Sequence, residues 1–223
     1  MVNTLEIDSI YRVVNQNLTL SDIYLKCNTG EIVGIVGRNG AGKSLLMKII
    51  FGIEKTENKF IRINNNNNSI KEPYKKFGLI TYLPQSSFLP KNLKVIHTIK
   101  LYINKSEVAN FANDQILNPI LESKVSEISG GELRYLEIKL LLNFKSHFVL
   151  LDEPLSYLSP ILKEKVLKLI VEKSADKGII VSDHDYFNLK SIITKLYLMN
   201  SGNLKQISDE SELIMWNYLP KRK

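Results

Sequence analysis

The chain changes hydrophobic period several times, and each change marks an element. Residues 4–10 (TLEIDSI) and 18–27 (LTLSDIYLKC) alternate apolar with polar positions, the pattern of half-exposed strands. Thr29-Gly30 then reads as a turn, and Ile32–Val36 follows as an unbroken apolar run, the pattern of a strand buried on both faces. Similar short runs at Leu79–Leu83, Phe148–Leu151 and Ile179–Val181 predict further buried strands. LLMKIIFG after the glycine-rich GRNGAGKS suits a helix. So does 160–173, where Ser159 can cap, Pro160 sits in the first turn, and Ile161, Leu162, Val166, Leu169 and Ile170 share a face. Tyr197–Met199, a turn at 200–203 and Leu204 read as a hairpin. Short buried strands mixed with helices predict an α/β domain with a mostly parallel, covered sheet.

Residues 86–128 combine proline, asparagine and broken helical periodicity, and read as a small helical insertion. The asparagine run 64–68 has no apolar face and reads as a surface loop.

At 223 residues, with 44% hydrophobic and 24% charged residues, the chain has the balance of a globular domain. The single cysteine, Cys27, excludes an intrachain disulfide and any multi-cysteine metal site, and suits a reducing compartment. No apolar stretch reaches the roughly 18–20 residues of a membrane span. Glu6 and Asp8 fall where a secretion signal needs an apolar run, so export is not expected. The net charge of +7 suits an anionic partner but does not choose among nucleotide, nucleic acid and lipid.

Two motifs carry chemistry. Gly37-Arg38-Asn39-Gly40-Ala41-Gly42-Lys43-Ser44 matches G-x-x-x-x-G-K-[ST], between a buried-strand pattern and a helical one. Such a loop aims successive backbone N–H groups at phosphate oxygens, and the following helix adds its positive end. Lys43 is then placed for the β- and γ-phosphates, and the Ser44 hydroxyl for Mg²⁺. The second motif, Phe148–Glu153, is a buried strand ending in two acids, at the edge where α/β sheets bind ligands. Asp152 is placed to hold Mg²⁺ through water, and Glu153 to orient or activate a water.

With these motifs in view the whole chain resembles the nucleotide-binding subunit of an ATP-binding cassette (ABC) transporter. Ile128-Ser129-Gly130-Gly131-Glu132 is similar to the family's LSGGQ signature, with Ile for Leu and Glu for Gln. Gln85 sits where the family places its Q-loop glutamine, and His184 matches its switch histidine. The resemblance implies one cassette over 1–223: a P-loop NTPase core at about 1–85 and 145–223, with an N-terminal antiparallel β subdomain, and a helical subdomain at about 86–144. It implies an ATPase with Glu153, His184 and Gln85 in catalysis and Ser44, Gln85 and Asp152 at Mg²⁺. ATP would be bound by Gly37, Asn39, Gly40, Ala41, Gly42, Lys43, Ser44, and by Ser129, Gly130 and Gly131 of a second cassette in a head-to-tail dimer. Membrane permease subunits on separate chains would couple hydrolysis to transport from the cytoplasmic face.

Three departures stand out. The family carries an aromatic base-stacking residue about 29 positions before the P-loop lysine. Val14 stands there, with Tyr11 three residues away, so stacking is either weak or supplied by Tyr11. Ser159 follows Leu158 where the family's D-loop has Asp. Gln85 and Ser129 are 44 positions apart, short for the family's helical subdomain.

Two rival readings remain. An ABC-type ATPase acting on nucleic acid or an assembly complex suits the positive charge. However, the chain has one cassette, where translation-factor members carry two, and it lacks the coiled-coil interruption of repair members. Nucleic acid is therefore not the expected partner. A regulator without turnover would be expected to have lost Glu153 or His184, and both are present.

Overall fold

The structure, a computed structural model, describes residues 2–14, 17–64, 66 and 69–220. In chain order the regular elements are β1 (Thr4–Val14), β2 (Asn17–Asn28), β3 (Ile32–Val36), α1 (Lys43–Phe51), β4 (Asn58–Ile63), β5 (Ile80–Leu83), α2 (Val95–Tyr102), α3 (Val108–Ala112), α4 (Gly130–Asn143), β6 (Phe148–Asp152), α5 (Pro160–Ser174), β7 (Gly178–Asp183), α6 (Tyr186–Leu189), β8 (Lys195–Asn200), β9 (Asn203–Ile207) and α7 (Glu210–Met215).

They form two sheets. The first is antiparallel, in the order β2-β1-β4, with Leu5 opposite Cys27 and Ile7 opposite both Leu25 and Ile61. The second runs β5-β6-β7-β3-β8-β9. Its first five strands are parallel, and β9 turns back antiparallel on β8 through Ser201 and Gly202, both at positive φ, as a two-residue hairpin requires.

Alternation along the strands sorts the larger sheet's side chains into two cores. Val33, Ile35, Leu150 and Ile180 face α1, whose Leu46, Met47, Ile49 and Ile50 are buried between this sheet and Leu5, Ile7, Ile23 and Leu25 of the other. Ile32, Val36, Val149, Leu151 and Val181 face the opposite way, onto α4 and α5 through Leu136, Leu140, Val166 and Ile170. Val95, Ile99 and Phe111 of the region 86–128 join that second core. Cys27 is buried and unpaired, and burial pushes its thiol up to about 12.

The expected strands and helices are present, with ends shifted by up to four residues. β1 runs on to Val14 rather than stopping at residue 10. β4 is an addition to the sequence reading. Asn64 does more than fill a surface loop: it accepts from the Thr4 amide at 2.7 Å and donates to Asn3 Oδ1 at 2.8 Å, tying β4 to the chain's beginning. The rest of that run, apart from Asn66, lies outside the described residues. No described helix is long and apolar enough to cross a membrane.

Candidate functional site

The site forms where the parallel strands end. β3 lies between β7 and β8, with β6 beyond β7, so the loops after β3, β6 and β7 open on one edge of the sheet. Ligands of open α/β sheets bind at that edge.

The loop after β3 needs its glycines. A Cβ on Gly37 would lie 2.4 Å from the Met199 carbonyl oxygen, and Gly42 holds a φ of 107° where the loop enters α1. Gly42 is the N-cap and offers no side-chain acceptor, so the first N–H groups of α1 face the loop's hollow. Lys43 folds back under the loop. Its Nζ donates to the Gly37 carbonyl at 2.7 Å and the Arg38 carbonyl at 3.2 Å, and stands 4.0 Å from Glu153 Oε1. Burial lowers its pKa, while the charges of Glu153, Asp152 and Asp183 act the other way.

Asp152, at the end of β6, is fully buried and accepts three hydroxyls. Ser182 donates to Oδ1 at 2.7 Å, Ser44 to Oδ1 at 3.1 Å, and Tyr82 to Oδ2 at 3.3 Å. Burial and the Asp152 charge together raise the Tyr82 pKa and keep it a hydroxyl donor. Glu153 follows in the left-handed region, at φ 46°, with its N–H bonded to the Ser182 carbonyl at 3.1 Å and near Ser182 Oγ at 3.2 Å. Left-handed backbone is costly for a long side chain and persists where surrounding bonds fix it. Here it turns the carboxylate into the cleft. Gln85, just beyond β5, donates its Nε2 to Ser44 Oγ at 3.1 Å.

A cleft of about 490 Å³ opens here, with Asn39, Gly40, Gly42, Lys43 and Ser44 on one wall, Gln85 and Glu153 on another, and Thr19 of β2 at the side. That size suits a nucleotide. The Ser44 hydroxyl and Asp152 Oδ1 form a small all-oxygen corner. Among the described residues no cluster of three or more His, Cys, Asp or Glu could hold a metal by itself. Mg²⁺ needs no such cluster, since it binds through one carboxylate, water and substrate phosphates. The corner therefore fits Mg²⁺ with a phosphate-bearing ligand. It is the amide nitrogen of Gln85 that faces Ser44, so ligation through its oxygen requires the amide to turn over.

Of the other expected residues, Ala41, Tyr11, Ser129, Gly131 and His184 are not among those that line the cleft. Ser129 caps α4 in a reciprocal box: its N–H and Oγ donate to Glu132 Oε2 at 2.8 and 2.7 Å, and Glu132 N–H returns to Ser129 Oγ at 3.3 Å. Ser129 and Gly131 are not among the cleft's lining residues, and Gly130 lines an adjoining hollow of about 310 Å³ with Gln85, Glu153 and Tyr157. The His184 side chain is 49% exposed, with Nδ1 3.5 Å from Asp183 Oδ1 and its carbonyl held by Tyr218 at 2.7 Å. Ala41 packs against the apolar core around α1. Tyr11 is 42% exposed on β1, opposite Asn58, and does not line the cleft. The Val14 side chain lies outside the described residues. Ser159 caps α5 as expected, accepting from Leu162 N at 3.4 Å.

Ser182, Tyr82, Arg134 and Glu137 belong to the site without any sequence signal that singles them out. Arg134 and Glu137 are charged positions inside α4 that are nevertheless buried.

Comparison with known proteins identifies the family. Residues 20–156 match the family model described as ABC transporter. The chain is 28% identical to the xylose/arabinose import ATP-binding protein of Sulfolobus acidocaldarius, over 92% of this chain and 87% of that one. It is 24% identical to the lipopolysaccharide export system ATP-binding protein of Acidithiobacillus ferridurans, over 96% and 93%. A solved ATP-binding subunit of an ABC transporter superimposes with a TM-score of 0.82 at 20% identity, covering 97% of this chain and 95% of the other. A nucleotide-free ATP-binding cassette gives 0.79 at 21%, covering 98% and 96%. The chain belongs to the ABC transporter family, as an ATP-binding, ATP-hydrolysing subunit. Its relatives serve import and export systems alike.

Proposed function

We propose that the chain binds Mg²⁺–ATP in the cleft, hydrolyses it between two head-to-tail copies or paired cassettes, and drives transport through separate membrane subunits. The observation that carries this reading is the meeting of Lys43, Ser44, Gln85, Asp152 and Glu153 from three separate segments of the chain: the start of α1, the loop after β5 and the end of β6. Phosphoryl transfer asks mainly for positioning and electrostatic stabilisation, and these groups are the kinds it uses.

The loop amides and the N-terminus of α1 receive the phosphates. Lys43 exchanges its two carbonyl partners for phosphate oxygens, and the triphosphate adds to the negative charges that already oppose the effect of its burial. Ser44 and Asp152 would hold Mg²⁺, which when bound neutralises phosphate charge. Glu153 accepts a proton from, or polarises, the attacking water, with Gln85 and His184 at its flanks. Ser129 and its two glycines would close over the partner's nucleotide, which accounts for their position away from the chain's own cleft.

The membrane subunits would seat on an apolar groove beside the helical region, lined by Phe51, Ile53, Tyr82, Phe88, Tyr102 and Phe144. The chain would then lie at the cytoplasmic face of the membrane. The cargo is set by those subunits.

Glu153→Gln tests the reading. It keeps size and hydrogen bonding but removes the charge, so binding survives and phosphate release falls by about 10²–10⁴-fold. Gel filtration should show a dimer with ATP–Mg²⁺ and a monomer without. Wild-type turnover in this variant would move the catalytic role elsewhere. An inactive variant that stays monomeric at high ATP would sink closure by the isolated subunit.

A further inference from the structure

The helix that carries the signature also reaches back into the chain's own site. Arg134 is 9% exposed and Glu137 2% exposed, although both are charged. Arg134 spends its guanidinium on main-chain carbonyls: one nitrogen donates to Pro84 O at 2.7 Å, the other to Asp152 O at 2.8 Å and Glu153 O at 3.2 Å. Glu137 lies 3.5 Å from that guanidinium and accepts the Phe88 N–H at 3.2 Å. Thus a single buried pair holds residues 84 and 88, on both sides of Gln85, and the two peptide carbonyls that flank the turn into Glu153. Burial pulls the Arg134 pKa down, with Glu137 and Asp152 opposing, and the group stays charged because an arginine starts so high.

Such a pair is an expensive way to build a core. Taking two charges out of water is often no better than packing apolar side chains of the same volume. What the pair adds is direction. A planar fork fixes several carbonyls at once, and Glu153 is the residue whose backbone sits in the left-handed region.

We propose that Arg134 and Glu137 are positioning residues that hold the Glu153 carboxylate and the Gln85 loop in one catalytic register, an inference that rests on Glu153 acting as described above. Neither touches the reacting atoms. They act through the Asp152–Glu153 main chain, and the helix they belong to begins at Ser129, so movement of the signature and placement of the acid are mechanically joined.

The test uses the full chain, its Glu153→Gln variant and three further variants. Arg134→Lys keeps a charge but loses the planar fork. Arg134→Met with Glu137→Met removes both charges together, leaving no unpaired ion to unfold the helix. The third combines that pair with Glu153→Gln. Steady-state phosphate release, equilibrium ATP binding and thermal midpoints are measured for each. The expected result is a fall in kcat of about ten- to a hundredfold, the scale of a misplaced catalytic group, with ATP affinity and KM within about threefold of wild type. Added to Glu153→Gln, the double methionine change should cost nothing further, because both act through one carboxylate.

Wild-type kcat in both Arg134→Lys and the double methionine variant overturns the proposal. So does a loss that multiplies with Glu153→Gln, or one that follows the thermal midpoint and falls on KM and binding as much as on kcat. If Glu153→Gln alone is fully active, the reading of Glu153 fails first, and the two failures are thereby told apart.

Discussion

Ser44 and Asp152 are 108 residues apart in the chain and meet at 3.1 Å, hydroxyl on carboxylate. The contact joins the phosphate loop to the acid-bearing strand, and it gives the site an all-oxygen corner suited to a hard cation. Removing the cation is therefore informative. ATP should bind the wild type about tenfold more tightly with Mg²⁺ than with EDTA, and Asp152→Asn should erase that difference, since its amide keeps an acceptor but loses the charge. Calorimetry with and without Mg²⁺ reads both. A variant that retains the full Mg²⁺ effect would place the cation elsewhere.

Lys43→Ala should weaken ATP binding by at least about a hundredfold, roughly 3 kcal/mol, the scale of charge-assisted bonds to phosphate. Among the described residues no other lysine lines the cleft to replace it. Circular dichroism must show a folded variant, because Lys43 also serves the Gly37 and Arg38 carbonyls. Near-native affinity in a folded Lys43→Ala protein would remove the loop from the binding site.

Much of this site is legible in the sequence because its chemistry is local. GRNGAGKS needs its glycines in order, and the acids follow directly on an apolar strand. The run Ile32–Val36 reads as doubly buried and is buried at every position. The strand β4 escapes because NKFIRI buries only Ile61 fully and borders an asparagine run. Arg134, Glu137 and Ser182 escape for a different reason. A charged residue inside a helix reads as a solvated face, and only the packed fold turns it inward. The serine next to Asp183 carries no pattern at all until β7 aligns it with Asp152.

Base recognition follows from where Tyr11 lies. Tyr11 is not among the residues that line the cleft, so Tyr11→Ala should change ATP affinity by less than about twofold. Stacking on a base is worth about 1–3 kcal/mol, and without it GTP should compete with ATP within roughly tenfold. Displacement of a labelled ATP analogue measures both. A strong preference for ATP that disappears in Tyr11→Ala would show that the tyrosine supplies the stack.

The helical region should be acid-sensitive through Asp114. Burial pushes its carboxyl up, but the bonds from Lys139 and Tyr135, each 2.7 Å, outweigh this and hold it below the usual range. A depressed folded-state pKa stabilises above the unfolded value of about 3.9 and loses that contribution as pH falls through the folded value. Asp114→Asn should cost about 1–3 kcal/mol at pH 7 and flatten the fall of the thermal midpoint below pH 4. Parallel acid curves for variant and wild type would assign the sensitivity to other carboxylates.

Glu132 stands where the family signature has glutamine. Its carboxylate accepts both the N–H and the hydroxyl of Ser129, so in the free chain that hydroxyl is already committed. In the proposed closed dimer the same hydroxyl turns to a phosphate, and a carboxylate beside a triphosphate repels it. The two effects point the same way, so Glu132 is expected to favour the open state. Glu132→Gln keeps an oxygen for the reciprocal cap and removes the charge, at a cost to α4 of about 0.3–1 kcal/mol from the lost dipole interaction. In the Glu153→Gln background, where hydrolysis cannot reopen the pair, the ATP concentration for half-maximal dimerisation should fall by about threefold to tenfold, a gain of roughly 0.7–1.4 kcal/mol. Sedimentation across an ATP series measures that shift, and Glu132→Ala, which breaks the cap as well, separates charge from helix integrity. Should Glu132→Gln leave the midpoint unchanged or raise it, repulsion at the signature would not be what sets the threshold for closure.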